Sequence, residues 1–213
     1  MSRSSEAVSI AGAAGGIEAV VDLPDAPRAA APRGVALVAH PHPLYGGALD
    51  NKVVQTLARA FNELGYASVR PNFRGVGASA GVHDHGEGET DDLVRAAQWA
   101  LERFGMQRIA LAGFSFGAFV QTRVCTRVPV ERLVLVGVPN GLVSGGARSY
   151  TPEPVPADTL VIHGELDETV PLARVFDWAR PQELPVVVLP GADHFFHRRL
   201  HLIRSIVQGA WKP

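Results

Sequence analysis

Short runs of β-branched and apolar residues alternate with longer amphipathic stretches along this chain of 213 residues. That alternation marks βαβ units around a mainly parallel sheet. Two early runs, at 7–10 and 17–21, flank a Gly/Ala turn and predict an antiparallel edge. An unbroken apolar run at 35–39 predicts a strand covered on both faces. Within 50–64, Val53, Val54, Leu57 and Phe61 recur at helical spacing, and Gly65 closes the helix. Further strands are predicted at 66–70, 108–112, 133–138, 160–163 and 186–189. Helices are predicted at 90–104, 115–127 and 172–179, with a last one from about 195 to 207. Thr90 is the expected N-cap of the second helix, with acids in its first turn. No linker interrupts the series, so one domain over 1–213 is expected.

Composition narrows the class. Apolar residues are 46% and charged residues 19% of the chain. A domain of this length buries roughly 70% of the surface its unfolded chain exposes, so the core needs neither disulfides nor metals. Lys plus Arg is 20 and Asp plus Glu is 21. That balance gives nucleic acid or an acidic membrane no electrostatic hold. The single cysteine, Cys125, sits in a predicted helix and reads as a small buried residue. The opening stretch MSRSSEAVSIAGAAGG lacks an apolar run of signal-peptide length, and no segment approaches a membrane span. A cytoplasmic location is therefore expected.

Candidate chemistry centres on G-x-S-x-G, which occurs twice: Gly113-Phe114-Ser115-Phe116-Gly117 and Gly77-Ala78-Ser79-Ala80-Gly81. A serine nucleophile needs a tight strand-to-helix turn that lifts its hydroxyl clear of the backbone. Ser115 has a predicted strand before it and a helix after it. Ser79 lies in a loop followed by Gly, His and acids, and reads as a turn residue. A hydroxyl also needs an imidazole to take its proton and a carboxylate to orient that imidazole. Asp167 follows the strand at 160–163, and His194 follows the strand at 186–189. Glu165 and Glu168 are rivals for the acid, and His197 for the base. His40, His42 and His83-Asp84-His85 raise a metal reading, but no HExxH or Cys/His spacing supports it. The last three read as polar loop residues at a pocket rim. No metal or cofactor is expected, and no phosphate-binding loop motif is present.

These residues carry a resemblance. The quoted turns, with His40-Pro41-His42-Pro43, Arg74-Gly75-Val76-Gly77-Ala78-Ser79, His163-Gly164-Glu165-Leu166-Asp167 and Gly191-Ala192-Asp193-His194, resemble the α/β-hydrolase superfamily over nearly the whole chain. The segment AHPHPLYGGALDNKVV is most similar to small lidless hydrolases of the dienelactone hydrolase and acyl-peptidase branches. Dienelactone hydrolases proper carry cysteine where this chain has Ser115. The resemblance implies an α/β fold: a mostly parallel sheet, helices on both faces, no large cap. It implies cleavage of a small-molecule ester or thioester through Ser115, Asp167 and His194. Peptide, lactone or C–C cleavage, or a non-catalytic binding role, are the alternatives. It also implies two oxyanion donors: the N–H of Phe116 and one from the loop after the first parallel strand. Pro41 and Pro43 have no N–H, which leaves His42 first, with Leu44 or Tyr45 behind it. Only about twenty residues separate the strands at 133–138 and 160–163, enough for a short flap carrying Leu142 and Tyr150. Leu44, Tyr45, Phe114, Leu142 and Phe195 are the expected substrate contacts, with Phe116 and Phe196 near them. A monomer or homodimer is expected.

Overall fold

Among the described residues, eight strands hydrogen-bond into one sheet in the order β1-β2-β4-β3-β5-β6-β9-β10. They are β1 (Ser5–Gly12), β2 (Gly15–Asp22), β3 (Gly34–Ala39), β4 (Tyr66–Pro71), β5 (Ile109–Phe114), β6 (Val130–Val136), β9 (Leu160–Gly164) and β10 (Val186–Leu189). The computed structural model describes residues 5–24 and 31–211, so the first four residues of the opening stretch lie outside it. The β1–β2 hairpin and the β2–β4 pair are antiparallel, and the remaining pairs are parallel. A small hairpin, β7 (Gly141–Val143) with β8 (Arg148–Tyr150), stands apart and occupies the predicted flap.

The helices are α1 (Lys52–Glu63), α2 (Glu87–Phe104), α3 (Phe116–Val124), α4 (Leu172–Ala179) and α5 (Leu200–Ala210). Strand β3 explains their placement. All its residues are buried, and they alternate between two apolar clusters. Val35, Leu37 and Ala39 join Leu93 of α2, Phe119 of α3 and Trp178 of α4. Ala36 and Val38 join Val53 of α1 and Ile203 of α5. A strand covered on both faces must be apolar at every position, which is why 35–39 shows no alternation. Helix α1 starts where the Asn51 side chain accepts the Val53 N–H at 2.9 Å. It ends at Gly65, whose φ of 88° a residue with a Cβ would resist.

Several boundaries differ from the sequence expectations. Helix α2 begins at Glu87, not Thr90, because Gly86 is its N-cap and Glu89 accepts the Gly86 N–H at 2.9 Å. Strand β6 runs from Val130 to Val136, earlier than 133–138. Helix α5 starts at Leu200, not near 195. Phe196 and Arg198 hold φ of 54° and 62°, conformations that a helix does not admit.

The chain leaves β3 towards β4 and leaves β5 in the opposite direction, towards β6. The crevice outside the carboxyl ends of β3 and β5 is therefore the switch point, where open α/β sheets bind ligands.

Candidate active site

Strand β5 ends at Phe114 and α3 begins at Phe116, so Ser115 alone makes the turn, with φ 53° and ψ −120°. A non-glycine residue held there costs of order 1–3 kcal/mol. Its neighbours make the turn possible. A Cβ on Gly113 would lie 2.5 Å from the Gly117 backbone, and one on Gly117 2.5 Å from the Ala39 and His40 carbonyl oxygens. Strand and helix approach that closely only because both residues are glycine.

Ser115, His194 and Asp167 form one hydrogen-bonded chain. His194 Nε2 lies 3.0 Å from Ser115 Oγ, and His194 Nδ1 lies 2.7 Å from Asp167 Oδ2. All three are buried. Asp167 Oδ1 accepts the backbone N–H groups of Thr169 at 2.9 Å and Val170 at 2.7 Å. With the carboxylate accepting throughout, His194 carries its proton on Nδ1 and presents the Nε2 lone pair to the hydroxyl. A second imidazole backs the carboxylate. His163 Nε2 donates to the Val170 carbonyl at 2.9 Å and lies 3.4 Å from Asp167 Oδ2. Burial holds the pKa of His163 below its usual value, which keeps the ring neutral. Sequence reading took His163 only as the end of a strand.

The rivals are engaged elsewhere. Glu165 accepts the Gly191 N–H at 2.7 Å, and Glu168 is exposed. His197 pairs with Asp193 and is exposed as expected, though it precedes α5 rather than lying in it. Ser79 donates to the Asn72 carbonyl at 2.8 Å and accepts the Glu18 N–H at 3.0 Å, so its hydroxyl ties the glycine-rich loop to β2. Burial pushes the Cys125 thiol up to about 11, and it donates to the Thr122 carbonyl.

The loop after β3 is pinned by His40. Its Nδ1–H donates to the Pro41 carbonyl at 2.7 Å, and its Nε2 accepts the Phe73 N–H at 2.9 Å. Next along, His42 uses its own neighbours. Its Nδ1 accepts the Leu44 N–H at 3.2 Å, and its carbonyl accepts the Tyr45 N–H at 3.1 Å. The two alternative oxyanion donors are thus already bonded within this turn. The rings of His42 and Phe116 lie 4.9 Å apart, which joins this loop to the start of α3. The Phe116 N–H belongs to the first turn of that helix, where backbone donors lack intrahelical partners.

Neutral buried histidines make stability depend on pH. Burial pushes His40 down to about 4, against roughly 6.5 in an unfolded chain. Between those values the unfolded chain binds a proton that the folded chain refuses, so stability falls as pH is lowered through this window. His163 acts in the same direction. The urea midpoint is expected to be lower at pH 5 than at pH 7, and a higher midpoint at pH 5 would contradict this account.

Beside Phe116 opens a cavity of about 380 Å³, walled by His42, His83, His85, Phe119 and Tyr150 among others. Of the expected substrate contacts, Leu44, Tyr45, Leu142 and Phe195 are exposed, and the Phe195 ring lies 5.2 Å from that of His194. Phe114 corrects the expectation. It is fully buried, with its ring 5.0 Å from the His194 ring, because it ends a strand covered on both faces. Phe196 is likewise core. The cavity wall also holds Arg123 and Arg148, which sequence reading missed. Arg148 lay in the flap segment already singled out, where a cation facing the site was the available signal.

The family model for X-Pro dipeptidyl-peptidase (S15 family) matches residues 17–150. The chain belongs to this S15 family. An uncharacterized protein of Rickettsia prowazekii is 33% identical to it over 171 residues, 76% of this chain and 71% of that one. A lidless α/β serine hydrolase from Xanthomonas campestris is 39% identical, with a TM-score of 0.87 over 99% of this chain and 94% of that one. An α/β serine hydrolase homologue from Coxiella burnetii is 37% identical, with a TM-score of 0.83 over 97% of each chain. The S15 member described here is accordingly a serine hydrolase of the α/β-hydrolase fold, without a lid. No helix among its described residues is long and apolar enough to cross a membrane.

Proposed function

We propose that the protein hydrolyses small, short-chain carboxylic esters or thioesters through an acyl-enzyme on Ser115. His194 serves as base and Asp167 orients it. The observation that carries this reading is the unbroken path from Asp167 Oδ2 through the His194 ring to Ser115 Oγ, at 2.7 and 3.0 Å. Ser115 Oγ attacks the carbonyl carbon as its proton passes to His194 Nε2. The N–H groups of Phe116 and His42 hold the oxyanion of the tetrahedral intermediate. Collapse releases the alcohol or thiol, which takes the proton from His194. Water then attacks the acyl-serine, with His194 again as base. The exposed rim of Leu44, Tyr45, Leu142 and Phe195 suits a small substrate that reaches the site from solvent. On the single cysteine of the sequence we take the compartment to be cytoplasmic.

The S15 match favours a second reading, removal of an X-Pro dipeptide from a free amino terminus. The cavity lining gives that reading little support: among the described residues no Asp or Glu lines the space beside Phe116 to receive a free ammonium group. Turnover of p-nitrophenyl acetate, butyrate and laurate, set against Ala-Pro-p-nitroanilide, separates these readings. The short esters are expected to be cleaved best and the anilide not measurably. A kcat/KM for the anilide above that for butyrate would sink the ester reading, and a preference for laurate would sink the short-chain part of it.

A further inference from the structure

Near its end, strand β9 carries an imidazole that the proposed reaction does not use. His163 follows Val161 and Ile162, and its side chain is fully buried. Among the described residues its Nδ1 has no hydrogen-bond partner. A buried polar atom left unpaired costs free energy that an apolar residue would avoid. Packing alone therefore does not account for a histidine here. The other ring nitrogen does. Nε2 donates to the Val170 carbonyl at 2.9 Å and lies 3.4 Å from Asp167 Oδ2. Both of those neighbours are acceptors, so the ring proton sits on Nε2.

The two acceptors belong to one turn, which joins β9 to α4 and carries Asp167. Its near end is stitched to the turn that carries His194. The Glu165 N–H donates to the Leu189 carbonyl at 3.1 Å, and the Leu166 N–H to the Ala192 carbonyl at 2.9 Å. A Cβ on Gly164 would lie 2.6 Å from the Ala192 carbonyl oxygen, so the two turns meet backbone against backbone. The far end has a different tether. Val170 gives its N–H to Asp167 Oδ1 at 2.7 Å and receives the His163 proton on its carbonyl. From the strand, His163 thus holds the residue that holds the carboxylate. Asp167 and His194 are the titratable groups that bear on the His163 ring. Burial keeps that ring neutral, so it turns an N–H dipole towards Asp167 Oδ2 and brings no positive charge to compete with His194.

We infer that His163 is a positioning residue: by holding Val170 and facing Asp167 Oδ2, it keeps the carboxylate in the orientation that accepts the His194 Nδ1–H. The demand is sharpest in the chemical step. When the Ser115 proton passes to His194 Nε2, the ring becomes a cation that Asp167 must meet without moving. Without His163, the Val170 carbonyl loses its donor and the far end of the turn can shift. The carboxylate can then swing away from His194. Binding of the ester does not use this contact, so the loss falls on kcat. This inference rests on the Ser115 reading and adds a residue that acts through Asp167.

Two substitutions separate the donor from the packing. His163→Met fills the space without an N–H, and His163→Gln keeps an N–H where Nε2 stood. In His163→Met, kcat for p-nitrophenyl butyrate is expected to fall about 10- to 100-fold, with KM within about threefold of the wild type. His163→Gln should bring kcat back to within about threefold of the wild type. The rate of fluorophosphonate labelling at Ser115 should follow kcat. The downfield proton resonance of the His194–Asp167 hydrogen bond should persist in His163→Gln and be lost in His163→Met. Where circular dichroism shows that His163→Met does not fold, His163→Asn replaces it with the same expectation, since its amide is too short to reach Val170. A folded His163→Met or His163→Asn with kcat within about threefold of the wild type overturns the inference. So does a His163→Gln that loses as much kcat as His163→Met, or a rise in KM that accounts for the whole loss in kcat/KM. Each of those results leaves the ester reading standing, because the wild type still turns over. If the wild type cleaves no ester but is labelled at Ser115, the ester reading falls alone and the labelling rates of the variants decide. If it is not labelled either, both fall together.

Discussion

Ser115→Ala is expected to lower kcat for p-nitrophenyl butyrate by about 10⁴-fold or more, equivalent to about 5.4 kcal/mol of lost transition-state stabilisation. The reason is that the covalent route disappears. With no Oγ, the His194 lone pair at 3.0 Å has no proton to take, and no acyl-enzyme forms. Turnover that persists is expected to come from water attack aided by the N–H groups proposed to hold the oxyanion. The fold should survive, because the turn is set by Gly113, Gly117 and the backbone bond from Ser115 N–H to the Val136 carbonyl at 2.9 Å, none of which uses the hydroxyl. Labelling by a fluorophosphonate should vanish with activity, while far-UV circular dichroism stays as in the wild type. Retention of wild-type turnover in a folded Ser115→Ala would show that the nucleophile lies elsewhere.

Asp167→Asn is expected to cost about 10³- to 10⁴-fold in kcat at pH 7, with KM changed by no more than a few-fold; 10⁴ is the figure measured for the same exchange in a serine protease triad. The hydrogen-bond pattern decides how the new amide sits. Oδ1 of Asp167 accepts two backbone N–H groups, from Thr169 and Val170. An amide nitrogen cannot accept them, so the oxygen of asparagine stays on that side and its NH₂ faces His194. His194 Nδ1 must then accept, and the ring proton moves to Nε2. That tautomer points an N–H at Ser115 Oγ and offers no base. The cost therefore falls on the chemical step and leaves substrate binding nearly untouched. Steady-state kinetics on the purified variant check it. A loss of tenfold or less would mean that Asp167 does not set the tautomer of His194.

Both predictions rest on residues that were legible before any fold was known, and the reason is architectural. In a parallel sheet each strand delivers the residues after it to the same edge. A serine after β5, an acid after β9 and a histidine after β10 are therefore carried to one place by strand order alone. Strand order, in turn, is readable because residues such as 35–39 must be apolar on both faces, and because α1 repeats its apolar positions at 3.6-residue spacing. The linear sequence by itself thus determined the sheet with its helices, and it singled out Ser115, Asp167 and His194, in that chain order, as the candidates after β5, β9 and β10.

What it left open depends on contacts between segments, which local pattern does not contain. Proline removed two of the candidate oxyanion donors, but that the N–H groups of Leu44 and Tyr45 are both taken up by His42 is visible only in the fold of that turn. Phe114 looked like a pocket wall beside Ser115, yet alternation along a doubly covered strand sends its ring under His194. The start of α5 moved from near 195 to Leu200 because Phe196 and Arg198 are held at positive φ in the turn that carries His194 to Ser115, 79 residues away in sequence. The cavity beside Phe116 was least visible of all. Its arginines and histidines come from four separate segments, which only tertiary packing brings to one place.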